Sequence, residues 1–181
     1  MVRPLKHHES KLLKKVDFLR ADSAREVPIL RKYHIQRRED YTRYNRLCGA
    51  AKRLATRLSK LDPTDPFRQE QQRKLLEKVF NIGLIPTQKN MGLIDKMTAS
   101  SFCRRRLPVV MVRVKMAETV RNAVELIEQG HVRVGPKMVT DPAMLITRRM
   151  EDFVTWVDTS RIRRTVQKYN DKLDDFDLLA A

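Results

Sequence analysis

The residues of this chain that carry the most chemistry are cations in clusters. Arg104, Arg105 and Arg106 stand in a row, and Arg43, Arg46, Arg53, Arg57 and Lys60 recur at helical intervals upstream. A third group, Arg113, Lys115, Arg121, Arg133 and Lys137, runs downstream with Asn122 and His131 among its members. Guanidinium forks bind phosphate through two parallel hydrogen bonds. A helix N-terminus, expected at 119–122, adds free N–H groups and the positive end of a dipole. One such cation is an ordinary solvated charge, whereas several clusters in a short chain point to a polyanion. The expected contacts are Arg104, Arg105, Arg106, Arg113, Lys115, Arg121, Asn122, His131, Arg133 and Lys137. A secondary set, for RNA or a partner, comprises Lys6, Lys11, Lys14, Lys15, Arg43, Arg46, Arg53 and Arg57.

Side chains for covalent chemistry are sparse. The sequence holds no Gly-rich nucleotide loop, no nucleophile elbow and no zinc-protease motif. Cys48 falls on an apolar helical stripe and reads as a core thiol. Cys103 precedes the three arginines, which would lower its pKa, but no histidine or asparagine partner stands out and a structural role is favoured. His7, His8, His34 and His131 lack metal-ligand spacing, so the expectation is no metal, no cofactor and no catalytic residue.

Composition agrees with a binder. The chain has 181 residues, 38 Lys and Arg against 22 Asp and Glu, and a formal charge of +16. Hydrophobic residues make up 41%, enough for a core, and aromatics only 6%, so that core is aliphatic. Two cysteines cannot staple a secreted scaffold, and no apolar run approaches a membrane span. Charge is uneven: net +4 over 1–20, +8 over 31–60 and −3 over 169–181.

These residues need elements to position them, and the expected fold is α+β and mostly helical. A basic extension covers 1–30, with a short helix over 11–19 ended by Pro28. A helical region covers 31–97. Its main helix spans 39–61, with Tyr41, Tyr44, Leu47, Cys48, Ala51, Leu54, Ala55, Leu58 and Leu61 as the packing stripe. Asp65 and Pro66 open the next helix, Gly83 ends it, and 87–97 form a connector. Thr98 caps a helix over 99–106, Pro108 starts another that ends near Val114, and Thr119 caps a third that ends at Gly130. The period then changes to two at Val132 and Val134, with a turn at Gly135-Pro136 and further strands at 138–139 and 153–157. A basic helix over 161–169 precedes an acidic tail at 169–181.

The stretch RRRLPVVMVRVKMAETVRNAVELIEQGHVRVGPKMVTDP, 104–142, resembles an S4 RNA-binding domain, a helix-turn-helix with a small β-hairpin that presents one cationic edge to RNA. The resemblance places the S4 domain at 98–168 and carries RNA contact onto Arg105, Arg106, Arg121, His131, Arg133 and Lys137. Four further stretches (LKHHESKLLKKVDFL, REDYTRYNRLCG, DPTDPF and MEDFVTWVD) resemble the S4-family subunits of U3 small nucleolar ribonucleoproteins. That likeness implies a nucleolar, non-catalytic RNA-binding component of the small-subunit processome. It also implies help for U3 RNA to pair with precursor ribosomal RNA before the early cleavages that lead to 18S rRNA. The implied partners are U3 small nucleolar RNA, precursor ribosomal RNA, M-phase phosphoprotein ten and other processome proteins, with no membrane and no obligate homo-oligomer. Two alternatives stand beside it: a small-subunit ribosomal protein of the S4 type, and a fragment of an RNA-modifying enzyme such as the S4 domain of a pseudouridine synthase.

Overall fold

The computed structural model describes residues 3–16 and 26–172. The side chains of 12–16, among them Lys14 and Lys15, fall outside that description, as do 17–19 of the expected first helix and the tail beyond Lys172. Helix α1 is His7–Val16. It starts four residues before the expected position because the Glu9 carboxylate accepts from the Lys6 backbone N–H at 2.9 Å and from Arg3 at 2.7 Å.

Helix α2, Glu26–Lys32, occupies the place where Pro28 is expected to end the N-terminal segment. Pro28 is instead its third residue. The first four N–H groups of a helix have no partner within it, so the missing donor costs nothing there. Glu26 is buried and receives both Nε and Nη2 of Arg38, at 2.9 and 3.0 Å, which locks α2 onto the next helix.

Helix α3, Arg38–Ser59, follows the longest apolar recurrence. Helix α4, Pro66–Ile82, begins where Asp65 accepts from the Phe67 N–H at 2.9 Å and ends at left-handed Gly83, φ 88°. Only part of the α3 stripe packs. Tyr41, Tyr44, Cys48, Ala55 and Leu58 are buried, while Leu47, Leu54 and Leu61 face outward. The stripe is wider than the strip of α3 that α4 and the following short helices cover. Those are α5, Gly92–Asp95, within the expected connector, and α6, Ala99–Cys103.

Helix α6 stops short of the expected 106 for a long-range reason. Leu107 N donates to Met144 O at 2.9 Å and Ile146 N to Arg105 O at 2.8 Å, so 105–107 pair with 144–146 in extended form. Helix α7, Leu107–Arg113, then starts with Pro108 in its first turn. Helix α8, Val120–Glu128, is capped by Thr119 Oγ1, which accepts from the Asn122 N–H at 3.2 Å. Strands β1, Val132–Val134, β2, Lys137–Met138, and β3, Val154–Trp156, form an antiparallel sheet in the order β2-β1-β3. Helix α9, Arg161–Tyr169, follows.

Two cores result. The first gathers Tyr33, Ile35, Tyr41, Tyr44, Cys48, Val79, Ile85 and Phe102, with the Tyr44 and Phe102 rings stacked 5.5 Å apart. The second gathers Leu107, Val110, Met111, Ala123, Ile127, Val132, Val134 and Ile146 under the sheet. The alternation in β1 buries Val132 and Val134 and leaves Arg133 outward.

Candidate nucleic-acid interface

The three consecutive arginines do not act together. Arg104 is exposed, but Arg105 and Arg106 are 4% and 1% exposed and are withdrawn from the expected cationic edge. Strand-like pairing of 105–107 turns their side chains into the seam between the two cores. Arg106 Nη1 donates to Asp40 Oδ2 at 3.2 Å and to the Tyr44 hydroxyl at 3.4 Å. Arg105 Nε donates to Ile146 O at 2.8 Å and its Nη1 to Glu151 at 3.1 Å. A Cβ at position 83 would stand 2.9 Å from Arg105 Nε, so Gly83 is needed both for its positive φ and for this close approach.

Arg148, which the sequence did not single out, completes the seam. Its Nε donates to Phe80 O at 3.0 Å and its Nη2 to Ile85 O at 2.8 Å, with the guanidinium 4.2 Å from the Phe80 ring centre. The sequence signal available for this seam was Asp40, an acid inside a strongly basic segment and on the packing side of α3. A cleft of about 270 Å³ opens beside Arg106, but Asp40, Glu128 and Asp141 line it, which makes it a poor seat for phosphate.

The remaining candidates divide into two surfaces. The first lies where α7 meets α8. Lys115, in left-handed conformation at φ 62°, is exposed and has no carboxylate partner among the described residues. Arg113 is half-exposed and shares Glu151 with Arg105, two guanidinium groups to one carboxylate. Arg121 is exposed and touches Glu125 at 3.2 Å. Asn122 lies in the first turn of α8, beside the free N–H groups that Thr119 leaves open.

The second surface is the outer face of the sheet. Arg133 stands opposite Thr155 and Met138, and its Nε donates to Thr155 Oγ1 at 3.1 Å. Asp158 takes Arg133 Nη1 at 2.6 Å and also Arg163, so again one carboxylate answers two cations. Lys137 is exposed on β2, where its pairing with inward Val134 puts it at the hairpin edge and not on the face of Arg133. His131 Nδ1 lies 3.0 Å from Ser160 Oγ, which ties β1 to the start of α9. That helix adds Arg161, Arg164 and Lys168, spaced i, i+3, i+7 on one exposed side and unpaired among the described residues. The spacing was legible in the sequence, although none of the three was among the expected contacts.

Of the secondary set, Arg46, Arg53 and Arg57 project from the outer side of α3, and Arg43 leans back toward Asp40 at 3.9 Å. Lys6 and Lys11 are exposed on or beside α1. Both thiols are interior. Burial pushes Cys103 up to about 11 despite nearby Arg106, and it raises Cys48 as well. Neither is a thiolate at neutral pH, and no group of three metal-binding side chains occurs among the described residues.

Helices α7 and α8, the hairpin and the cationic outer surfaces define an RNA-binding protein of the S4 class. Family models agree: "S4 domain" matches residues 105–152 and "Ribosomal protein S4/S9 N-terminal domain" matches residues 4–104. The U3 small nucleolar ribonucleoprotein protein IMP3 of Saccharomyces cerevisiae is 56% identical over 181 residues, covering 98% of this chain and 99% of the relative. The human protein of the same name is 55% identical over 184 residues, covering 99% and 100%. Small ribosomal subunit protein uS4 of Hyperthermus butylicus is 24% identical over 136 residues, 75% of this chain and 76% of the relative. The chain belongs to the IMP3 family of S4-type proteins.

Proposed function

We propose that this protein is a non-catalytic RNA-binding component of the U3 small nucleolar ribonucleoprotein, acting in the nucleolus. There it helps U3 RNA pair with precursor ribosomal RNA ahead of the early steps toward 18S rRNA, with M-phase phosphoprotein ten and other processome proteins as companions. The observation that carries the reading is the end-to-end match to relatives whose names contain that particle.

The geometry supplies a physical route. Pairing two RNA strands brings two rows of phosphate together, and the barrier falls when a protein neutralises charge on both. The α7–α8 surface, with Arg113, Lys115, Arg121 and Asn122, takes one segment, and the exposed Arg104 adds charge ahead of α7. The outer sheet face, with His131 and Arg133, takes the other, and Lys137 extends it at the hairpin edge. At the sheet surface Asp158 orients both Arg133 and Arg163 and leaves a net positive charge to meet phosphate, while at the α7–α8 surface Glu151 steadies Arg113 beside the unpaired Lys115.

The test joins affinity to annealing. With about six phosphates contacted, the logarithm of the binding constant for a U3 fragment should fall against the logarithm of salt with a slope of about −4 to −5. The protein should also speed pairing of that fragment with its complementary precursor segment, read by fluorescence transfer. Arg121→Glu with Lys137→Glu should slow pairing more than it weakens binding to either strand alone. A flat salt plot, or unchanged pairing rates with wild-type protein, would sink the proposal.

A further inference from the structure

The outward leucines of α3 and of the turn that closes it at Leu61 are not scattered. Leu47, Leu54 and Leu61 fall at i, i+7 and i+14 and are 51%, 45% and 39% exposed. That is a heptad repeat, the spacing of one position of a helix–helix seam. The residue before each is a cation, Arg46, Arg53 and Lys60. Across from the seam, α4 exposes Phe67 at 57%. Between the helices runs a groove of about 470 Å³ whose apolar lining includes Leu54, Leu58, Leu61, Phe67 and Leu75. Arg57, Lys74 and Lys78 rim it. Of these, only Lys74 is held by a carboxylate among the described residues, Glu70 at 2.6 Å.

We infer that this groove is the docking site for an acidic amphipathic helix of a protein partner. Its apolar stripe would lie along Leu47, Leu54 and Leu61, and its carboxylates would meet Arg46, Arg53, Arg57, Lys60 and Lys78. The inference stands on the groove alone and does not depend on the RNA reading of the S4 surfaces. Charge and length separate the occupants. A second copy would set one cationic rim against another. The chain's own 11–19 segment is basic as well. The acidic end of the chain, 173–181, has the right sign, but as a helix its nine residues would reach about 13 Å, against about 18 Å of α3 from Leu47 to its end at Ser59. RNA would leave the leucines and Phe67 without apolar contact. An acidic helix of about three heptads satisfies length, floor and rim together.

The probe is a synthetic helix of about three heptads, with leucine at its seam and glutamate at the flanking positions, used where it is monomeric by sedimentation. Titrated into the full chain and read by anisotropy, it should bind saturably. Leu54→Glu with Leu61→Glu should weaken it roughly tenfold or more. These side chains are exposed, so circular dichroism and RNA affinity should both be preserved. A peptide with lysine at the flanks should not bind. In the assembled particle, a benzophenone side chain at position 54 should crosslink to an acidic segment of a protein. No binding by the glutamate peptide would overturn the assignment, as would equal binding by the lysine peptide. Crosslinks from position 54 to RNA, to a second copy or to residues 173–181 would also overturn it. Because RNA affinity is measured on the same variants, failure here is distinguishable from failure of the RNA reading.

Discussion

Arg106 turns its charge inward, and Asp40 is what makes that tolerable. Both side chains are almost fully buried, 2% and 10% exposed. Breaking a buried pair from one side leaves an unanswered charge and costs about 3–5 kcal/mol. Asp40→Ala should therefore lower stability by about that amount in chemical denaturation, and a surface acid such as Glu77 changed in the same way should not. The same seam governs the thiols. Cys103 is raised from 9.0 to about 11 by burial, so the folded state favours the protonated form. Stability is undiminished below pH 9 and should fall between pH 9 and 11, where the unfolded chain loses this proton first. Urea midpoints across that range should show a smaller decline for Cys103→Ala. Cys103 should also resist alkylation at pH 8 until the protein unfolds. None of this was legible in the run Arg104-Arg105-Arg106. Local pattern treats the three alike, and the register that sorts them comes from pairing with 144–146, some forty residues away in the chain.

Elements with a local cause were legible. Asp65, Thr98 and Thr119 stand at helix starts, and Gly83 and Gly130 take the left-handed conformation after helix ends, as their side-chain chemistry dictates. The valine alternation gave the sheet and its outward Arg133. Helices α2 and α5 were missed because a proline and a glycine in their sequences read as breaks, although the first turn of a short helix accepts either. The apolar stripe of α3 was read as wholly packed, since periodicity reports a face and not what covers it. On the functional side, α9 was recognised as basic but not as part of the interface. Its unpaired cations should act through charge, not through bases. Changing Arg161, Arg164 and Lys168 to glutamate should weaken unrelated RNA sequences alike and make the salt slope shallower by about two to three. Gel-shift series over several salt concentrations would show this, and loss confined to one sequence would argue against it.

At the scale of the whole molecule, two apolar cores meet across a seam held by three guanidinium groups. Arg105 and Arg106 reach from the second core toward the first, and Arg148 grips one carbonyl in the last turn of α4 and one just beyond it. Each bond has a direction, so the seam sets one orientation between the α7–α8 surface and the α3–α4 groove. Arg148→Ala should loosen that orientation before it unfolds either half. Hydrogen exchange should rise at 80–85 and 146–151, while the centres of α3 and α8 keep their protection. Thermal unfolding should broaden from one sharp transition toward two.

Gly83 and its neighbour across the seam make the second half a poor candidate for transplantation. Severed ahead of Arg105, it would carry away Arg106 without its carboxylate and hydroxyl, Asp40 and Tyr44, and Arg105 without the hollow that Gly83 leaves for it. Grafted onto a foreign scaffold, such a fragment would arrive with an inner surface no new host could be expected to match.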